Sequence, residues 1–287
     1  MFYGKFLVSG CFAAVLGLLA GPALAGGGGG SGSCNALPGW SALKTALTTA
    51  VGESGNGGLG NNMWGTIVDN SGIVCAVAFS GADFTQQWLG SRAIAAQKAN
   101  TGNAFSLGPN TRGAGLALSS ANLFSAVQPG GSLYGLQASN PVDTAVTYGN
   151  QLSVGPIDPP PANANTFGSI QDPLVGQRVG GINVFGGGLA LYQGGKRVGG
   201  LGVSGDTSCT DHMIAWWTRH LLGFDVFSGI QGPASLFAGD SSHPDNIIFD
   251  IKANPYGGTG ISASGFGHAT CLNNPTPEAV AALPAVH

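Results

Sequence analysis

Charge is what this sequence has least of. Its 287 residues hold 10 Lys and Arg against 13 Asp and Glu, so 8% are charged, where an ordinary domain has about 25%. There is no basic stripe to follow a phosphate backbone, which excludes a nucleic-acid-binding protein. Long apolar runs are missing beyond the first residues, and none approaches the ~20 residues of a membrane span. The usual signatures of chemistry are missing as well. The chain has no G-x-x-x-x-G-K-[ST], no G-x-G-x-x-G at a strand-to-helix turn, no H-E-x-x-H, no C-x-x-C and no G-x-S-x-G. That removes P-loop and dinucleotide enzymes, zincins and thiolate zinc sites. Gly202-Val203-Ser204-Gly205 stops one residue short of a nucleophile elbow, so Ser204, His212 and Asp206 lack the turn that a hydrolase triad needs.

What replaces charge is glycine, 51 residues of it. A surface of Ser, Thr, Asn, Gln and Gly repels its own copies weakly, which predicts a homo-oligomer. Lys5, the apolar run from Phe6 to Leu24 and Ala23-Leu24-Ala25 form a secretory signal over 1–25. The mature chain is therefore expected to be periplasmic or extracellular, with no integral membrane segment left. A Gly-rich tether follows at 26–40. Cys34, Cys75, Cys209 and Cys271 remain after cleavage, an even count in an exported protein. They predict two disulfides with three possible connectivities. We expect Cys34–Cys75, stapling the N-terminal segment to a hairpin, and Cys209–Cys271, stapling the tail to the last helix.

Periodicity places a helix over WSALKTALTTAV, with Leu43, Leu47 and Val51 on one face. A hairpin follows, turning at Asp69-Asn70-Ser71-Gly72. QQWLGSRAIAAQKANTGNAF is a second helix, with Trp88, Arg92, Ala95 and Ala99 on one side and Lys98 beside them. Residues 107–173 are rich in Gly, Pro and Asn and read as an insertion, with a turn of helix in GLALSSANLF. Two strands, LALYQ and RVGGLGVSG, turn at Gly194-Gly195. A last helix runs through SCTDHMIAWWTRHLLGF, and 225–287 reads as an irregular extension. The order predicts an α+β domain over 41–224, an antiparallel sheet flanked by helices.

The last helix carries the candidate chemistry. Its spacing puts Met213, Ile214, Trp217, Leu221 and Phe224 on the buried face. Trp216 then lies beside His212, Arg219 and His220, facing a pocket, the insertion or a partner. Eight residues separate the two histidines, ~12 Å of helix, so they cannot share one ion. Haem needs one axial ligand and an apolar slot, for which His212, Met213 and His220 are the candidates; the alternative is a helix with core tryptophans and surface histidines.

Two segments resemble the GlcG/HbpS haem-binding family. The first is Ser91-Arg92-x-Ile94-Ala95-x-x-Lys98-Ala99-x-Thr101-x-x-x-Phe105. The second is Gly186-Gly187-Gly188-Leu189-Ala190-Leu191 with Val198-Gly199-Gly200-Leu201-Gly202-Val203-Ser204-Gly205, followed by Asp211 and Ala215. The resemblance covers roughly 41–105 and 176–224. It implies a profilin-like or PAS-like sheet, oligomers, and haem or a related small molecule as ligand; haem degradation enters through the resemblance alone. Family members can ligate iron with a histidine near the first helix, and WSALKTALTTAV has none. The expected ligand pocket lies at the sheet–helix junction, lined by Lys98, Gly186, Gly187, Gly188, Asp211, His212, Trp216 and His220. His212 and His220 are alternative iron ligands there, and Lys98 is a partner for a propionate. No catalytic set emerges, so a binding protein is expected. The competing function is a self-assembling structural protein that has lost its ligand.

Overall fold

The computed structural model describes residues 1, 33–110, 113–149 and 164–287. The expected signal, the first part of the tether and part of the insertion lie outside the described residues. In chain order the elements are α1 (Trp40–Val51), β1 (Trp64–Asp69), β2 (Val74–Phe79), α2 (Ser91–Phe105), α3 (Leu123–Ala126), α4 (Thr144–Tyr148), β3 (Gly188–Gln193), β4 (Lys196–Ser204), α5 (Ser208–Leu221), α6 (Pro233–Phe237), β5 (Ile251–Lys252), β6 (Ile261–Ser262) and α7 (Pro277–Ala281). None of the described helices is long and apolar enough to cross a membrane.

Four strands form one antiparallel sheet in the order β2-β1-β4-β3. Both hairpins fall where the sequence places them. Alternation divides β1 between two cores. Ile67 points to a layer made by α1 and α5, with Leu43, Leu47, Leu201, Val203, Met213 and Ile214. Trp64 and Val68 point to the layer made by α2, with Val77, Ala95, Ala96 and Ala99. The fold is thus the expected α+β sheet between helices.

α2 packs through small residues rather than large apolar ones. A Cβ on Gly200 or Gly202 would overlap the backbone carbonyls of Ala99 or Ala95, and one on Gly102 would overlap the backbone of Leu189. Glycine lets the helix backbone rest directly on β3 and β4. The buried face is Arg92, Ala95, Lys98 and Ala99, with Ser91, Ala93, Ala96 and Thr101. Trp88, expected on that face, precedes the helix and is exposed. The helix starts at Ser91, later than its apolar pattern suggests, with Gly90 as its N-cap.

The segment after α5 is less a tail than a third layer. Its residues contribute Phe227, Ile230, Ile247 and Leu283 to buried clusters. Pro284, Asp245 and His243 all contact α5. The segment adds α6, α7 and the β5–β6 pair to the sheet domain.

Both disulfides take the expected connectivity. Cys34–Cys75 spans 5.4 Å between Cα atoms, and Cys209–Cys271 spans 6.0 Å. The second closes 62 residues and ties the C-terminal segment to the start of α5. Constraining a loop of that size in the unfolded chain is worth roughly 4 kcal/mol in the chain-entropy account. Non-reducing peptide mapping should recover these two pairs, and reduction should lower the melting temperature sharply. Four free thiols, or an unchanged melt on reduction, would contradict this.

Candidate functional site

Thr207 caps α5 by accepting from the Thr210 amide, and Asp211 lies in the first turn. Oδ1 of Asp211 accepts from the Gly205 and Asp206 amides, and Oδ2 accepts from Lys98 Nζ at 2.6 Å. Lys98 comes from α2 and also donates to the Val203 carbonyl. Both side chains are almost fully buried. Burial pushes the Asp211 carboxyl up to about 6 against the pull of Lys98, and lowers Lys98 against the pull of Asp211. Lys98 therefore binds an internal carboxylate instead of facing solvent or a propionate.

The glycines expected to rim a pocket are filled in. A Cβ on Gly186 would strike Ser208 and His212, one on Gly187 the Val203 carbonyl, and one on Gly188 the Lys98 carbonyl. They bring the chain entering β3 against α2 and α5, and the junction is closed packing.

His212 is fully buried, and neither ring nitrogen has a hydrogen bond of good geometry among the described residues. Burial first, then the charge of Arg219 and the proximity of His268, push it down to about 3; a weak interaction with Asn246 opposes this. It makes no bond to Ser204, and Asp206 is occupied by the amides of Leu59 and Asn61, so no triad forms. His268 is similar. It is buried against the Phe124 ring with Nδ1 on the Ala269 carbonyl, and burial lowers it to about 4.

The phase expected for α5 is corrected here. Trp216 is 1% exposed, in the core, and donates to the Pro284 carbonyl at 2.9 Å. Trp217 is only partly buried, and Leu221 is 45% exposed. Arg219 is fully buried, paired with Asp245 at 2.6 Å and stacked on Trp216. The polar side of the helix is buried because the C-terminal segment covers it.

Of the eight residues expected at the pocket, the structure brings Lys98, Asp211, Gly187 and Gly188 together, and Gly186 and Trp216 with His212. His220 lies apart, at the far end of α5. Its Nδ1 is 2.7 Å from Asp225 Oδ2, its ring stacks on His287, and its side chain is 29% exposed. His243 has Nδ1 on Asp240 and Nε2 on the Leu283 carbonyl.

The sequence reading did not find Asp172, Asp225 or Asp245. Asp172 and Asp245 neutralise Arg92 and Arg219, and Asp225 meets His220. Charge scarcity was the available signal. A buried Arg or Lys needs a partner, and a chain with so few acidic residues offers few candidates for it.

Open space lies elsewhere. A groove of about 800 Å³ runs between α1 and the end of α5, lined by Leu37, Pro38, Ala42, Thr45, Ala46, Leu221, Leu222 and Phe224, among others. Smaller cavities lie beside His243 and α7, at about 550 Å³, and between Trp64, Arg92 and Phe167, at about 300 Å³.

A search among curated proteins finds no match. Similar solved structures include the following two. One is the Klebsiella pneumoniae protein ORFY of family DUF336, 21% identical, covering 65% of this chain and 90% of its own, with a TM-score of 0.38. The other is the PduOC–haem complex, 22% identical, covering 63% of this chain and 89% of its own, with a TM-score of 0.38. Residues 40–217, from the start of α1 to near the end of α5, match the family described as haem degrading protein HbpS-like, and the chain belongs to that family.

Proposed function

We propose that this is an exported binding protein for haem or a related flat apolar molecule, seated in the groove between α1 and the end of α5. Family membership over 40–217 carries the ligand class. The groove carries the location: its volume lies within the range of small-molecule sites, and its walls are largely aliphatic. The two disulfides support export, since such bonds persist in oxidising compartments.

The fit to haem is divided. The apolar walls suit a porphyrin face, and Ala42, Thr45 and Thr49 leave the groove floor low. No residue lining it is a His, Cys, Met or Tyr, so no side chain there is an axial ligand to iron. His212 offers none without opening packed structure. Haem would supply a large apolar disc, and this chain would supply apolar contact. No step of haem degradation follows from these residues.

Haem titration of the purified mature protein tests this. A saturable spectral change should appear, and His212→Ala should leave it unchanged. Thr45→Trp, at an exposed position in the groove, should weaken binding at least tenfold while keeping the wild-type melt. A saturable change indifferent to Thr45→Trp would refute the groove.

One observation favours a second reading. Among the described residues the glycines at 186–188 pack against α2 and α5, as in a self-assembling protein without a ligand. In that case haem titration stays flat and light scattering gives a stable multimer whose mass falls in Thr45→Trp.

A further inference from the structure

His220, Asp225 and His287 each place one ligand atom within 4.8 Å of the other two. We propose that this trio is a binding site for a borderline divalent metal of the zinc class, independent of haem. The three side chains come from different places. His220 ends α5, Asp225 begins the segment that leaves it, and His287 returns from the far end of the C-terminal layer. Backbone hydrogen bonds hold the return in register: the His287 amide donates to the Asp225 carbonyl, and the Ser228 amide donates to the His287 carbonyl.

The second observation is at Asp225. Its carboxylate is 2% exposed, and Oδ2 meets His220 while Oδ1 is buried with no hydrogen-bond partner among the described residues. Buried polar atoms are normally paired, and a buried carboxylate most of all. Of the other buried carboxylates, Asp172, Asp211 and Asp245 each have an Arg or Lys, and Asp69 and Asp206 accept from backbone amides. Asp225 has imidazoles instead. A dication held by two imidazoles and this carboxylate would complete its neutralisation.

The chemistry selects the ion. Two imidazole nitrogens and one carboxylate suit Zn, Co, Ni or Cu, whereas Ca and Mg need all-oxygen sets. Bonds of ~2.0–2.1 Å in a tetrahedral shell put ligand atoms roughly 3.4 Å apart. The present spacing closes on that with side-chain adjustments of about an ångström. His287 is exposed and His220 half-exposed, so a fourth position opens to solvent. The two Cys of the other compact group, Cys209 and Cys271 with His268, are joined in a disulfide and offer no thiolate.

The test uses the full mature chain, disulfides intact, chelator-stripped and free of any histidine tag. Co(II) is titrated by its visible absorption and then displaced with Zn(II). We expect one equivalent per chain, and at least tenfold weaker binding in each of His220→Ala, His287→Ala and Asp225→Asn. Circular dichroism should be unchanged in His287→Ala, whose side chain lies at the surface. His243→Ala should bind as the wild type does. No binding by the wild type overturns the proposal, as does undiminished affinity in His220→Ala and His287→Ala. So does loss confined to His243→Ala. A flat haem titration with intact Co(II) binding would sink the haem reading and leave this site standing.

Discussion

Trp216→Ala is expected to unfold the protein or to cost ~3–5 kcal/mol, the range for truncating a buried aromatic. That is a large part of the ~5–15 kcal/mol that holds a domain together. Trp216 is 1% exposed and has neighbours both on its own helix and in the C-terminal segment. Its indole donates to the Pro284 carbonyl, the Arg219 guanidinium lies 4.5 Å over its ring, and the rings of His212 and His243 flank it at 6.2 and 5.5 Å. Removing it opens a cavity and also takes a wall from the buried Arg219–Asp245 pair. Trp217→Ala should lose much less, because Trp217 is only partly buried. Chemical denaturation of both variants orders them, and a larger loss for Trp217→Ala would reverse the helix phase argued here.

That phase shows why the sequence was legible in some places and not in others. The strands and both hairpins could be read because β-rich runs flank turn residues, and α1 because it has one buried face made by local periodicity. In α1 the apolar residues Leu43 and Leu47 are also the buried ones. α5 obeys a different rule. Cys209 through Trp216 are all buried, with Thr218 and Arg219 beyond them. A helix covered on both sides has no polar face to reveal its orientation, and its buried polar residues are paired with partners far along the chain. Arg219 meets Asp245 and Lys98 meets Asp211. No local spacing encodes such pairs. The number of disulfides could be read because an even cysteine count with expected export constrains it, while the pairing was one of three connectivities. The expected pocket could not be tested from sequence, because glycine at 186–188 permits both an open rim and close packing, and here it serves packing.

The same buried polarity makes the protein sensitive to acid, and His212 is expected to dominate. In the unfolded chain an imidazole takes up a proton near pH 6.5; in the fold His212 refuses it until about 3 and His268 until about 4. As pH falls below 6.5 the unfolded state binds protons that the native state does not, so stability falls. By pH 4 the His212 share is about 3 kcal/mol. Asp211 acts the other way: raised to about 6, it takes up a proton in the fold before it does so unfolded, which offsets part of the loss between pH 6 and 4. The clean measurement is therefore a difference. His212→Leu removes the titrating ring, keeps similar volume beside Gly186, and leaves Asp211, Lys98, Arg219 and His268 in place. Between pH 7 and pH 4 the wild type should lose about 3 kcal/mol more than His212→Leu by denaturant unfolding. At pH 7, where His212 is neutral, the two should differ little, since the ring loses no more than the weak interaction with Asn246. Parallel pH profiles would mean that His212 reaches solvent or a proton donor in the native state. The closed junction between Gly186 and α5 would then have to open on the way to any ligand.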